Sequence, residues 1–431
     1  MNVSTITARR LLTATGIVDF PVLRIAADGT LLELTSDPAA LAHETDTLTA
    51  SFLDVHTHGA VGHDVMHVDP AGLSRMQRFL ASHGVASYLP TTVTASVDST
   101  LRALEALANA VESTPAPGEA QPIGIHLEGP FLSHIKRGTH PPAELQQPSI
   151  ELFDRFQQAA RGHILLMTIA PELVSEEAPA NSALKGTGFS PSGGSRGLQA
   201  PEKGAGSPGL QPRVSTEGTT ALDLIRHAAS KGVRATLGHS NATDAEARCG
   251  IAAGATSATH IFNAMRALDH REPGIVGAIL DDDSLFAEII CDGIHVAPEL
   301  IRLWLKIKGP HRGILVTDAM SATGIGDGSY SLGDFDVTVT DGRALLSGDL
   351  AQGKETLAGS LLTLDVAVAN LQHFAHADLG AATRLASHNP AAMLGRPSHT
   401  AFTIGAPISL NRFNAANQLI TTIVRGISIS G

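Results

Sequence analysis

The sequence predicts a (β/α)8 barrel joined to a small β-sandwich domain built from both chain ends. Three observations lead there. Eight strand-length apolar runs recur from Ser51 to about Leu385 and alternate with helical patterns. Ionisable residues stand at the C-terminal ends of these runs, where a barrel opens its active-site face. The two flanks read instead as short strands and turns, and chain ends often lie close together.

The runs are "SFLDVH", "GVASYLPT", "PIGIHLEG", "HILLMTIAPE", "GVRATLGHS", "GATSATHIF", "LFAEIICDG" and "RGILVTDA". Between the first two, Leu73, Met76, Phe79 and Leu80 share one helical face, and Gly84 is a stop signal. After the second, Leu101, Leu104, Leu107, Ala108 and Val111 repeat the pattern behind a cap at Asp98 or Ser99. A doubly wound open sheet would also alternate in this way. The placement of the polar residues favours the barrel, over residues 51–390. Residues 1–50 and 391–431 supply the two parts of the small domain, through stretches such as "FPVLRIAADGTLLELTSD" and "NQLITTIVRGISIS".

One stretch interrupts the pattern. Lys185 to Arg213 is rich in Gly, Pro and Ser and has no apolar periodicity. A disordered surface insertion near residues 178–218, after the fourth strand, is expected.

The chain has 431 residues and is 43% hydrophobic, enough to bury a large core. Its net charge is −12, without a basic tract, which argues against a nucleic-acid or anionic-membrane surface. No apolar run approaches the roughly 18 to 20 residues of a membrane helix. The N-terminus lacks the apolar core of a secretory signal. Two cysteines, Cys249 and Cys291, make no disulfide framework, and a cytoplasmic protein is expected. Histidine is abundant, with 20 residues.

His56 and His58 end the first strand and share a face, because side chains alternate with a period of two. Two imidazoles so placed can chelate one ion. Glu128 ends the third strand, His239 the fifth and His260 the sixth. Nitrogen and oxygen ligands of this kind suit zinc, iron, manganese or cobalt. Five ligands exceed what one catalytic ion with an open position needs, so one ion and two are both open. Asp318 ends the eighth strand. There it can exchange a proton with a water at the metal, or merely cap "AMSATG".

Several longer stretches carry a resemblance: "DVHTHG", "HLEGPFLSHIKRGTHPPAEL", "TIAPE", "LGHSNAT", "ATHIFNAMRALDHREPGIVGAIL", "CDGIHV", "VTDAMSATG", "TLAGS" and "ASHNPAAMLG". Together they resemble the N-acetylglucosamine-6-phosphate deacetylases of the amidohydrolase superfamily, nearly end to end across the barrel. The resemblance implies hydrolysis of the acetamide of N-acetyl-D-glucosamine 6-phosphate, in amino-sugar catabolism and cell-wall sugar recycling. It implies one or two divalent ions, zinc foremost, and a homodimer. Glu128, His239 and His260 would hold the main ion and His56 with His58 a second. Asp318 would be the general base and acid, and His140 would polarise the acetamide carbonyl. Thr139, His140, Asn263, Ala264, Arg271, Asp292, Gly293, Ile294, His295, Leu357, Ala358 and Gly359 match substrate-contact positions. Arg271 would meet the sugar phosphate, and whether Arg271 or His295 serves its own or a neighbouring subunit's site is open. The fourth strand ends in "TIAPE" where superfamily members often place a carboxylated lysine, and Glu128 would substitute for it.

Overall fold

Each of the eight runs forms a strand of one parallel barrel. In this computed structural model, the structure describes residues 3–40, 45–67, 69–174 and 219–430. The insertion expected near 178–218 lies outside the described residues. The strands are β1 (Phe52–Thr57), β2 (Val85–Thr92), β3 (Ile125–Glu128), β4 (Ile164–Ile169), β5 (Arg234–Leu237), β6 (Ala255–Ala258), β7 (Phe286–Ile290) and β8 (Gly313–Val316). Each pairs in parallel with the next. They read as near-continuous apolar runs because a parallel sheet is covered on both faces.

The barrel closes just beyond β8. The Asp318 N–H donates to His56 O at 2.9 Å, and the His58 N–H donates to Ala319 O at 2.8 Å.

The helices follow from their sequence faces. Helix α1 (Pro70–Ser82) starts with proline in its first turn and is capped by Asp69, which accepts from Ala71 and Gly72 N–H. It buries Met76 and Leu80 against the barrel, each worth about 1.5–3 kcal/mol, and Leu73 is buried as well. Helix α2 (Val97–Glu112) buries Leu104, Leu107 and Ala108, with Leu101 and Val111 packed at the edge. Its cap is Ser96, whose hydroxyl accepts from the Ser99 N–H. The expected caps, Asp98 and Ser99, fall inside the first turn instead. The apolar Val97 hid the true start.

Both chain ends meet in two facing sheets. One joins Val3–Thr7, Pro21–Ala26 and Leu31–Ser36. The other has six strands and mixes Arg10–Leu12 and Thr47–Ala50 with Leu410–Phe413 and Leu419–Val424. Leu11, Leu23, Ile25, Leu48, Leu410 and Ile423 fill the space between them.

After β8 the chain adds an antiparallel meander, Gly328–Leu332, Phe335–Thr340 and Arg343–Leu346. Leu332, Val337 and Val339 pack on Val93, Met320 and Ala358. The buried Asp64 carboxylate pins the meander by accepting from the Gly333 N–H at 2.6 Å. Among the described residues, no helix is long and apolar enough to cross a membrane.

Candidate active site

The predicted strand-end residues converge at the C-terminal mouth of the barrel. Glu128 is central. Its Oε1 lies 3.1 Å from His239 Nε2, 3.2 Å from His260 Nε2 and 3.5 Å from His56 Nε2. Its Oε2 lies 3.4 Å from His58 Nε2 and 3.7 Å from His140 Nε2. Asp318 Oδ1 stands 3.0 Å from His58 Nε2 and 3.6 Å from His56 Nε2. All of these side chains are buried or nearly so.

Local backbone geometry turns them inward. His239, His260 and Asp318 each sit two residues past a strand, with φ of +46°, +26° and +51°. This left-handed region costs a non-glycine residue of order 1–3 kcal/mol and gathers at functional sites. Hydrogen bonds hold the turns: Ser133 N–H to His239 O at 2.9 Å, and Ser360 N–H to Asp318 O at 2.7 Å. Gly138, at φ +59°, lets the "KRGTH" loop pass over the His239 ring.

Three of the far nitrogens are fixed too, while His260 Nδ1 is buried with no hydrogen-bond partner among the described residues. His58 Nδ1 donates to Thr91 O at 2.8 Å and His239 Nδ1 to Lys136 O at 3.2 Å. His56 Nδ1 lies 3.4 Å from Glu288 Oε2, a fully buried carboxyl. Such partners leave each Nε2 free as a ligand atom. His126, on β3, differs: Val55 O and Thr168 Oγ1 occupy both its nitrogens, so it belongs to the barrel floor.

The set fits a divalent cation. Ligands about 2.0–2.1 Å from one tetrahedral ion stand roughly 3.3 Å apart. Glu128 Oε1, His239 Nε2 and His260 Nε2 are mutually 3.0 to 3.2 Å apart. His56 Nε2 and His58 Nε2 are 3.3 Å apart and have Glu128 beside them. The charges agree. Burial opposes charge on His56 and His58, but Glu128 and Asp318 outweigh it and raise both imidazoles, His58 to about 9. Burial likewise opposes charge on Glu128 and Asp318, yet the imidazoles hold both carboxyls below the usual range. A site that collects protons this way lacks positive charge, which a divalent ion supplies. His140 goes the other way: burial, then His239, pushes it down to about 3.

A cavity of about 320 Å³ opens above the cluster. Thr139, His140, Asn263, Ala264, His295, Leu357 and Gly359 line it, as expected. The other substrate-contact candidates do not. Asp292 stands behind His295, accepting from its Nδ1 at 2.6 Å. Gly293 and Ile294 belong to the same turn, and Ile294 is exposed. Ala358 packs into the meander core. Arg271 is exposed, in a turn where Asp269 Oδ1 accepts its backbone N–H at 2.8 Å, and its side chain does not reach this cavity.

The residues missed by sequence reasoning are Val93, Gly138, Leu332, Glu355 and Thr356 in the lining, and Thr94, Glu172 and Glu288 behind it. Glu172, of "TIAPE", accepts from Ser240 Oγ at 2.8 Å and from Asn241 N–H at 2.7 Å, bracing the turn that carries His239. Its place at a strand end, like that of the other carboxylates, was the available signal.

Known proteins are similar to the chain along most of its length. N-acetylgalactosamine-6-phosphate deacetylase of Escherichia coli O157:H7 is 34% identical over 391 residues, covering 90% of this chain and 89% of the relative. N-acetylglucosamine-6-phosphate deacetylase of Bacillus subtilis is 31% identical, covering 88% and 83%. The chain belongs to the N-acetylglucosamine-6-phosphate deacetylase family. These deacetylases are amidohydrolases, enzymes that hydrolyse amide bonds. A structure of the Mycobacterium smegmatis deacetylase, a variant in complex with N-acetyl-D-glucosamine 6-phosphate, superposes with a TM-score of 0.82 at 29% identity over the whole of both chains. An enamidase of the amidohydrolase superfamily, 12% identical with a TM-score of 0.57, shares the fold. No family model matches the chain.

Proposed function

We propose that the protein hydrolyses the acetamide of N-acetyl-D-glucosamine 6-phosphate, giving D-glucosamine 6-phosphate and acetate in amino-sugar catabolism. The observation that carries this reading is the set of histidine Nε2 atoms around Glu128, with Asp318 against two of them, at the floor of one cavity.

Glu128, His239 and His260 would hold the main ion, with His56 and His58 holding a second. Zinc suits these ligands best, and iron, manganese and cobalt also suit them. When bound, such an ion acidifies a water and polarises a carbonyl. Asp318 takes the proton of the attacking water and returns it to the departing amine, a shuttle its position at the cluster allows. His140 donates to the acetyl oxygen as negative charge develops there. Thr139, Asn263, Ala264, His295, Leu357 and Gly359 shape the sugar site. Arg271, exposed and outside the lining of its own cavity, meets the sugar phosphate of a neighbouring subunit in a homodimer. Its planar fork suits phosphate. Asp292 orients His295, with Gly293 and Ile294 in the same turn, and Ala358 supports Leu357 and Gly359 from the meander core. Two free cysteines and a metabolic substrate fit the cytoplasm.

A second reading has a specific support. The Escherichia coli relative is named for N-acetylgalactosamine 6-phosphate. Acetate release from the two sugar phosphates and from unphosphorylated N-acetylglucosamine decides between them. Faster release from the galacto sugar moves the assignment to that substrate. Equal release without the phosphate removes the role given to Arg271. No release from any of them, with metal bound, removes the deacetylase reading.

A further inference from the structure

We infer that Thr94 is a positioning residue that holds His140 as the neutral imidazole carrying its proton on Nε2, aimed into the cavity. The inference rests on the deacetylase reading above, in which His140 donates to the acetyl oxygen.

Thr94 lies two residues past β2, in "PTTVTAS", and is buried. Its backbone N–H points at His140 Nδ1 from 3.2 Å, and its hydroxyl oxygen lies 2.8 Å from the same nitrogen. An amide N–H can only donate. A proton on Nδ1 would face that N–H head-on, so Nδ1 offers its lone pair and the ring proton resides on Nε2. The Thr94 hydroxyl supplies a second donor to the same lone pair. His140 Nε2 then presents N–H toward Glu128 Oε2, 3.7 Å away, and the cavity between them.

Two consequences follow. In this form Nε2 has no lone pair, so His140 donates and cannot accept the proton of the attacking water. That leaves Asp318 as the base. The arrangement also explains a glycine. A Cβ on Gly129, at φ +84°, would lie 2.1 Å from Thr94 Oγ1. Glycine in "HLEGPF" therefore leaves room for the hydroxyl that steers His140.

The test joins a spectrum to kinetics on the metal-loaded enzyme. In protein labelled with 15N-histidine, the His140 signals are those absent from His140→Gln. They should show a protonated Nε2 and an unprotonated Nδ1. A proton on Nδ1, or on both nitrogens, overturns the inference. This readout needs no substrate, so it stands apart from any failure of the deacetylase reading. In acetate release, Thr94→Val should lower kcat about tenfold, the worth of one hydrogen bond, and leave KM within about twofold. Thr94→Ser, which keeps both donors, should restore kcat. In a His140→Gln background, Thr94→Val should cost nothing further. An unchanged kcat in Thr94→Val, or an equal loss in both backgrounds, overturns the inference.

Discussion

Asp318 Oδ1 lies 3.0 Å from His58 Nε2 and its backbone N–H donates to His56 O, so one residue touches the H-x-H pair through both side chain and main chain. Its carboxylate is placed by the strand that carries the first two candidate ligands. Replacing Asp318 with asparagine keeps the shape and removes the proton acceptor. Acetate release should fall by about 10² to 10⁴, the span of general acid–base catalysis. Metal content, read by plasma emission, should stay near that of the wild type. Near-normal turnover would remove Asp318 from the reaction.

Glu128 lies within reach of five imidazoles, those of His56, His58, His140, His239 and His260. Glu128→Gln should strip the purified protein of metal, toward zero ions per chain, and abolish acetate release. The melting temperature should fall as well, because a ligand that binds only the folded chain stabilises it. A variant that retains its full metal content would show that the histidines suffice.

Glu288 stands behind His56, with Oε2 3.4 Å from His56 Nδ1. Loss of such a partner typically weakens metal affinity about 10- to 100-fold. Glu288→Gln should therefore weaken one class of site in a calorimetric zinc titration of the apoprotein. The class formed by Glu128, His239 and His260 should keep its affinity. A single class of site in the wild type would reduce His56 and His58 to neighbours of one ion.

His388 offers a pH test far from the cavity. Burial, then the nearby Arg384, pushes its imidazole down to about 4, and its Nδ1 shares a hydrogen bond of 2.9 Å with Thr400 Oγ1. The unfolded chain takes up this proton near pH 6.5, before the folded one does. The stabilisation is therefore complete above pH 6.5 and is lost as pH falls toward 4. His388→Gln should cost melting temperature at pH 7.5, and the gap to wild type should narrow at pH 4.5. A gap that widens in acid would reverse the assignment.

Much of this was legible in the chain. Each of the eight apolar runs became a barrel strand, because buried parallel strands need apolar side chains on both faces. Glu128, His239, His260 and Asp318 could be read as one site because a barrel brings strand ends together. Thr94 could not, because one of its two donors is a backbone N–H, which every residue but proline has, and only the fold brings its hydroxyl to His140. Glu288 sits mid-strand among apolar neighbours, and only the fold shows that it faces His56. The wall contributed by Leu332, Glu355 and Thr356 depends on Asp64 folding the meander back over the mouth. Arg271 lies in a motif that promised phosphate contact, yet a turn tied to Asp269 carries it outward.

The barrel's closure has a further meaning. Strands β1 and β8 are stitched together at their C-terminal ends, by the main chains of His56, His58, Asp318 and Ala319. Residues some 260 positions apart in the chain thus complete the ring and the reaction centre in one act. A chain that leaves this last seam unsewn carries every side chain of the site and still has no site. Turnover is then a direct report that the circle has been joined.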